Sequence, residues 1–292
     1  MGRTARRILV TILACAVPVA GLGSLEWPVS GGAPVLTFGS NQAGRFYPSM
    51  TAGPEGAPVR AVGAGEIGFL FDGDKLPSGL PCPLGSFVAL SHPDGMISVY
   101  GRMERGSLPR YLRSVSSGDV LGRSGSSGYY AGREASFTLF DRVKRQYLNP
   151  QVLLPPVRDD RAPLVRGMYL AAGDRLLPLG ETRSVRQGTY EIIADIQDPL
   201  NPADPRPRAP YSIRLIIDGK EVVRYLYDAA RAESGRLLFF GSARRDSGAY
   251  FLADGRLRLG SFLLARGRMT VVLIVSDYAG NEREAGGVIL VE

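Results

Sequence analysis

Short stretches of alternating apolar and polar residues, interrupted by glycine and proline, constrain the fold of this chain most. Its 292 residues include 37 glycines and 21 prolines, and both residue types break regular helices and strands. Residues 87–91 and 96–100 flank Pro93-Asp94-Gly95, a combination typical of a β-hairpin. Helical periodicity is almost absent, apart from a turn predicted at residues 108–114. The sequence therefore predicts an all-β protein.

The same pattern divides the chain into two β-rich parts. Residues 25–155 are rich in glycine, and residues 59–71 predict a pair of strands broken at Gly63 and Gly65. Residues 156–163 begin with a proline, carry several charged residues and are predicted to form a linker. Alternating strands follow in residues 164–292, which favours an antiparallel sandwich.

The first 24 residues predict export. Arginines precede an apolar run at residues 8–22, which is shorter than the roughly 20 residues of a membrane-spanning helix. Cleavage near Gly23 or Ser24 would release the protein into the periplasm or the outer cell envelope. A second interpretation is a lipoprotein signal, in which an acylated Cys15 anchors the chain to a membrane. In both cases Cys82 lacks a partner, so no internal disulfide is expected.

The formal charge of +7 overstates the basicity of the exported protein, and the way its arginines are distributed argues against a nucleic-acid partner. Removal of the signal would take away Arg3, Arg6 and Arg7 and lower the charge to +4. The remaining arginines are scattered, and no basic tract is present. A mild positive charge suits contact with an anionic cell wall or membrane surface, and a solvated, arginine-rich surface explains it equally well.

An ordered series of short motifs spans residues 25–155. In chain order these motifs are Trp27-Pro28-Val29-Ser30-Gly31-Gly32, Phe38-Gly39, Gly56-Ala57-Pro58-Val59-Arg60-Ala61, Val88-Ala89-Leu90-Ser91-His92, Gly118-Asp119-Val120-Leu121-Gly122 and Asn149-Pro150. Together they resemble the lysostaphin-type, LytM-like zinc endopeptidases of metallopeptidase family twenty-three, which cut peptide cross-links in bacterial peptidoglycan. The resemblance implies a glycine-rich, antiparallel LytM-like β domain in the first part of the chain.

The resemblance also locates the metal and catalytic positions, and none carries its usual residue. The first His and Asp of the family fall on Phe46 and Met50, and the next catalytic His falls on Arg102. The closing His-x-His falls on Glu134-Ala135-Ser136. A catalytic zinc needs three good ligands and an open position, and Phe, Met, Arg and Ser provide poor ones. The sequence therefore predicts no metal, no cofactor and no catalytic residue.

The only histidine, His92, lies at a family position that is not a metal ligand. It either contacts a glycan or a partner, or packs at a strand end beside the Pro93-Asp94-Gly95 turn. Aromatic and polar residues near the expected cleft could bind sugars or peptides. The candidates for such a groove are Tyr47, His92, Tyr100, Arg102, Tyr129, Tyr130 and Glu134. An alternative is that the tyrosines, with Phe46 and Met50, fill the space that the metal would take.

Two further patterns bear on chemistry and on fold. Ser124-Gly125-Ser126-Ser127-Gly128 lacks the spacing of a nucleophile elbow and is predicted to be a loop beside the groove. Asp277-Tyr278-Ala279-Gly280-Asn281 resembles a turn of the immunoglobulin-like modules in bacterial envelope proteins, which implies an immunoglobulin-like β-sandwich at residues 164–292.

By analogy with degenerate members of the family, the chain is expected to bind peptidoglycan or to regulate a separate cell-wall hydrolase. Two alternatives stay open. One is an active peptidoglycan endopeptidase with an unrecognised metal site, and the other is a purely structural envelope component.

Overall fold

The computed structural model describes residues 25–31, 34–42, 44–73, 82–129, 132–199, 208–241, 245–246 and 249–292. The predicted signal at residues 1–24, with Cys15, and Tyr130 lie outside these ranges. Below, residues 25–155 are called the first unit and residues 164–292 the second unit. Within the described ranges the fold is almost entirely β, which confirms the predicted class.

The first unit is built around one antiparallel sheet. Its strands are β1 (Pro34–Leu36), β2 (Asn41–Gln42), β3 (Arg45–Phe46), β4 (Met50–Ala52), β5 (Pro58–Arg60), β6 (Gly65–Phe71), β7 (Ser86–Ser91), β8 (Met96–Met103), β9 (Ser114–Val115), β10 (Val120–Arg123), β11 (Ala135–Asp141) and β12 (Gln146–Leu148). Along the main path of the sheet the strand order is β9-β6-β7-β8-β11-β12, and β11 also pairs with β4, which in turn pairs with β1. Two small ladders, β2 with β3 and β5 with β10, flank this sheet.

The second unit consists of two sheets packed face to face. Its strands are β13 (Leu164–Ala172), β14 (Arg175–Pro178), β15 (Ser184–Val185), β16 (Gly188–Gln197), β17 (Ser212–Ile217), β18 (Lys220–Glu233), β19 (Arg236–Gly241), β20 (Arg245–Asp246), β21 (Leu257–Leu264), β22 (Gly267–Ser276) and β23 (Glu282–Val291). One sheet has the order β14-β13-β16-β21 and the other the order β18-β17-β22-β23-β15. Alternate residues of both sheets, including Ile192, Leu215 and Val271, meet in one buried core.

The two units share backbone hydrogen bonds. Strand β12 pairs with β11 on one side and with β18 on the other, so one sheet runs through both units. The short helix α1 (Pro150–Leu153) follows β12 directly. Asn149 caps this helix, because its side chain accepts a hydrogen bond from the amide of Gln151. The side-chain amide of Asn149 also donates to the carbonyl of Tyr227, at 2.6 Å, and to the hydroxyl of Tyr278.

The N-terminal segment also contributes to the core of the second unit. Phe38 and Phe46 are buried there, and the Phe46 ring stacks on Tyr227 with a centroid distance of 6.1 Å. Gly39 makes this approach possible, because a Cβ at that position would clash with the Tyr227 ring. The two units therefore do not have fully separate cores.

Several strand predictions can be compared with the structure. The hairpin around Pro93-Asp94-Gly95 is confirmed as β7 and β8, with Gly95 at φ 85°. The predicted pair within residues 59–71 is wrong in its pairing: β5 and β6 both form, but β5 pairs with β10 and β6 with β7 and β9. Glycine spacing indicated where these strands break, whereas their partners are distant in sequence.

The second unit has the predicted sandwich, antiparallel apart from the short parallel pair of β15 with β23, and its immunoglobulin-like character stays a prediction. The domain boundaries at residues 25–155, 156–163 and 164–292 likewise stay predictions. In the described part of the chain, no helix combines the length and apolarity that crossing a lipid bilayer requires.

Candidate functional site

Strands β4 and β11 carry two of the expected metal-ligand positions, Met50 and Ser136. Their register places Met50 opposite Phe137 and Thr51 opposite Ser136. Directly opposite residues share a face of the sheet, and successive residues alternate between faces. Met50 and Ser136 therefore point to opposite faces, and Met50 is buried with Phe137 in the core of the first unit.

Phe46 lies away from both positions. Its ring packs edge-on against Phe38, at 5.2 Å, and stacks on Tyr227 in the core of the second unit. The expectation that Phe46 and Met50 fill an emptied cleft is therefore wrong, since each side chain belongs to a different hydrophobic core. The adjacent residue, Tyr47, is only partly buried.

Tyr47 and Arg102 are the two groove candidates that the structure joins most directly. Nη2 of Arg102 donates to the hydroxyl of Tyr47 at 3.1 Å, and the guanidinium carbon lies 5.8 Å from the centre of the Tyr47 ring. Arg102 is buried and has φ 59°, a backbone conformation that is uncommon outside glycine. A permanently charged guanidinium has no lone pair for a metal and repels a cation.

Glu134 and Ser136 complete the positions expected from the resemblance. Glu134 is half-buried and immediately precedes β11, whereas Ser136 is buried opposite Gly101 of β8. The neighbouring Arg133 forms an exposed ion pair with Glu55, at 2.5 Å. Among the described residues, three or more His, Cys, Asp or Glu side chains converge only at Asp159, Asp198 and Asp277, none of which belongs to the first unit.

His92 and Tyr100 are not positioned to line a groove. His92 is 7% exposed, with Nδ1 2.7 Å from the carbonyl of Ala64 and Nε2 2.8 Å from the Ser98 hydroxyl. Ser98 donates in turn to the Tyr100 hydroxyl, which also accepts from the amide of Val62. Burial raises the pKa of Tyr100 above its usual value, so its phenol stays neutral.

Both ring nitrogens of His92 are thus engaged in a buried network. The assignment of His92 and Tyr100 to a binding groove is therefore wrong, because neither side chain is accessible to a ligand. The alternative interpretation of His92, a histidine packed at the end of a strand, agrees with the structure.

A surface groove does lie beside the serine-rich loop. It is lined by Glu55, Gly56, Met103, Glu104, Arg105 and residues 124–127. The Ser127 hydroxyl accepts from the amide of Ser86 and donates to the carbonyl of Met103, at 3.0 and 2.7 Å. The Ser124 hydroxyl accepts from the amide of Ala57, at 3.0 Å. Both hydroxyls hold the loop in place, which agrees with the prediction of a loop beside the groove.

Tyr129 follows this loop and is 63% exposed. Its amide donates to the carbonyl of Pro83, at 3.4 Å, so the backbone is held while the ring faces solvent. Tyr130 lies outside the described residues. Of the predicted groove residues, Tyr47, Glu134 and Tyr129 thus keep partly or largely exposed positions from which a binding role stays open, whereas Arg102 is buried and bonds to Tyr47.

Sequence reasoning missed the three aspartates Asp159, Asp198 and Asp277. They are far apart in sequence, and only the turn from Asp277 to Asn281 gives a local signal. Their convergence depends on how the linker folds back onto the second unit, which no local pattern indicates.

Comparison with known proteins agrees with the resemblance carried by the ordered motifs of residues 25–155. Residues 49–150 match the family model described as peptidase family M23, and a second family model matches residues 162–291. A search of curated proteins gave no match to this chain.

Solved structures give partial matches. A candidate peptidase M23 from Pseudomonas aeruginosa is 23% identical over 40% of this chain and 44% of its own, with a TM-score of 0.30. This chain thus spans less than half of that protein. The catalytic domain of the prophage-encoded M23 protein EnpA from Enterococcus faecalis, solved as a point mutant, is 22% identical over 41% of this chain and 88% of its own, with a TM-score of 0.34. The catalytic domain of lysostaphin from Staphylococcus simulans is 19% identical over 38% of this chain and 80% of its own, with a TM-score of 0.31.

Proposed function

We propose, from the premise that residues 49–150 match peptidase family M23, that this protein is a non-catalytic component of the bacterial envelope. Its first unit binds peptidoglycan or a separate cell-wall hydrolase, and the protein is exported to the periplasm or outer envelope. No nucleic acid and no cofactor takes part.

The hydrogen bond from Arg102 to Tyr47 is the observation that carries the proposal. Arg102 occupies a position where the family keeps a catalytic histidine, and its guanidinium carries a fixed positive charge. Phe46, Met50 and Ser136 are poor ligands for the metal that would lower the pKa of an attacking water and polarise the peptide carbonyl. The one histidine is buried, with its ring nitrogens bonded to Ala64 and Ser98, so it is out of reach of a substrate on the surface.

The exposed surface near the serine-rich loop supports a binding role. The groove beside residues 124–127 is lined by polar and charged groups, and Tyr129 presents an exposed ring next to the loop. Sugar rings and short peptides bind well to aromatic faces flanked by such groups. The charged residues Glu55, Glu104 and Arg105 supply hydrogen-bonding partners for an amide-rich stem peptide.

Cosedimentation of the purified protein with purified sacculi, combined with zinc analysis, tests the proposal. We expect the protein to pellet with sacculi, to contain no stoichiometric zinc and to release no soluble muropeptides. One zinc per chain together with muropeptide release would establish the endopeptidase alternative instead. Failure to pellet, together with no effect on the activity of cell-wall hydrolases, would leave the structural alternative.

A matched pair of tyrosine variants locates the binding surface. Tyr129→Ala should weaken sacculus binding at least about fivefold, because a lost aromatic contact of ~1 kcal/mol changes a binding constant by that factor. Tyr111→Ala removes a ring that is more exposed still, 97% accessible, from another loop and should leave binding unchanged. Equal effects of the two variants would place the binding surface elsewhere.

A further inference from the structure

Three aspartates converge where the linker meets the second unit. Asp159 belongs to the linker, Asp198 follows β16, and Asp277 follows β22. One carboxylate oxygen from each lies within 4.8 Å of those of the other two. Asp198 and Asp277 are buried and Asp159 is partly exposed. Three carboxylates this close repel one another strongly unless positive charge lies between them.

The side chain of Asp198 is the decisive one. It is only 5% exposed, and its Oδ1 is fully buried without a hydrogen-bond partner. Burial, followed by the carboxylates of Asp277 and Asp159, raises the pKa of Asp198 to about 8, even though the nearby Arg208 acts in the opposite direction. A buried oxygen that lies beside two other carboxylates and receives no hydrogen bond is suited to a cation.

Asp277 is held rigidly in its turn. Its Oδ1 accepts the amides of Ala279 and Asn281, at 2.9 and 2.8 Å, and its Oδ2 accepts the side-chain amide of Asn281 at 2.8 Å. An ionised carboxylate offers about four lone-pair sites, so capacity for a ligand remains. Asn281 also donates to the carbonyl of Asp159, at 2.9 Å, which fixes the linker beside the turn.

We propose that Asp159, Asp198 and Asp277 bind one hard divalent cation, Ca²⁺ in preference to Mg²⁺, which fastens the linker to the second unit. The donors are all oxygens and come from three loops, an irregular arrangement that Ca²⁺ accepts with six to eight ligands at varied angles. Mg²⁺ demands near-octahedral geometry and keeps its own waters, so the loop-built site disfavours it.

The chain provides its own spectroscopic reporter for this site. Trp27 is the only tryptophan, and it lines the same cavity as Asp159 and Asp198. Its indole nitrogen donates to the carbonyl of Pro155, at 2.9 Å, so the ring is held against the start of the linker. A cation bound by the three aspartates should therefore change Trp27 fluorescence. Tb³⁺, a luminescent substitute for Ca²⁺, should be excited through the same ring.

The test is a titration of the chelator-treated protein with CaCl₂, monitored by calorimetry and by Trp27 fluorescence. We expect one Ca²⁺ per chain with an affinity in the range of about 10⁻⁴–10⁻³ M typical of extracellular sites, weaker binding of Mg²⁺, and a raised thermal midpoint with Ca²⁺. Sensitised Tb³⁺ emission should appear and be displaced by Ca²⁺. No heat and no fluorescence change up to about 10 mM Ca²⁺ would overturn the proposal.

Two aspartate variants separate the site from general charge effects. Asp198→Asn should weaken Ca²⁺ binding at least about tenfold and abolish the thermal shift, because it removes a buried anionic ligand. Asp160→Asn removes the same charge from the adjacent linker position, whose side chain is 74% exposed, and should leave the Ca²⁺ affinity within about twofold. Asp159→Asn, at the partly exposed ligand, provides a second variant should Asp198→Asn fail to fold. Undiminished Ca²⁺ binding by both Asp198→Asn and Asp159→Asn would place the cation elsewhere and overturn the assignment.

Discussion

Single residues decide what the first unit can do chemically, and Met50 is the clearest case. The series of motifs aligns Met50 with a metal ligand of the family, but the Met50 side chain lies in the hydrophobic core opposite Phe137. An aspartate at position 50, as in the family, could not bind the same zinc as a ligand at position 136. The two positions lie on opposite faces of the sheet.

Met50→Asp should therefore destabilise the protein without conferring zinc binding. Burying an ionised carboxylate in an apolar core, even after partial relaxation, should lower the free energy of unfolding by roughly 3 kcal/mol or more. Met50→Leu keeps the volume and should cost less than about 1.5 kcal/mol. Urea unfolding with and without added ZnCl₂ measures both effects. A zinc-dependent gain in the stability of Met50→Asp would contradict the face assignment.

The buried network from His92 to Val62 shows how residue identity can mislead. His92 and Tyr100 are attractive as groove residues by chemistry alone. In the structure they bond to Ser98, and the Tyr100 hydroxyl also accepts from the amide of Val62. Their polar groups serve the packing of the sheet, because a buried hydrogen-bonding group that lacks a partner is destabilising.

At the scale of elements, Asn149 connects strand β12 and helix α1 to the second unit. Its side chain caps α1 and reaches the carbonyl of Tyr227 and the hydroxyl of Tyr278. These contacts explain why an asparagine-proline pair closes the first unit. Pro150 starts the helix at a position where its missing N–H is not needed.

Asn149→Ala should lower the free energy of unfolding by roughly 2–4 kcal/mol, because it removes a helix cap and leaves buried polar groups unsatisfied. Val152→Ala on the same helix changes a half-exposed side chain and should change stability by no more than about 0.5 kcal/mol. Chemical denaturation of both variants provides the measurement. Equal losses would mean that the helix, rather than the Asn149 contacts, carries the effect.

Elements with a local signal could be predicted, and those that depend on distant partners could not. The β7–β8 hairpin follows from its turn residues and from alternation. The pairing of β5 with β10 and of β12 with β18 joins segments far apart in sequence. At the site, the sequence alone predicted Phe46, Met50 and Arg102 at the expected metal and catalytic positions. The bond from Arg102 to Tyr47 and the meeting of three aspartates required the folded chain.

At the scale of the whole molecule, the two units form one structure through a shared sheet and a shared core. Phe38 and Phe46, which precede β4, are buried with Tyr227 and Tyr250 of the second unit. The two units should therefore unfold in one cooperative transition. Gly39 lies at the centre of this contact.

Gly39→Ala should destabilise both units together. A Cβ there meets the Tyr227 ring, and the φ of +86° is unfavourable for alanine, so we expect a loss of roughly 2–4 kcal/mol. Gly44→Ala has a similar φ of +79° with open space around it, and should lose only about 1–2 kcal/mol. Scanning calorimetry and Trp27 fluorescence should report the same midpoint of thermal unfolding. Two separate transitions would contradict the shared core.

The continuous sheet has a mechanical consequence. Strand β11 carries Ser136, and two ladders connect it through β12 to β18 of the second unit. A force directed along these strands would load the backbone hydrogen bonds of both ladders in shear, so that several bonds resist it together. A load that reaches the C-terminal sandwich is thus passed through β12 to β11, the strand that carries Ser136.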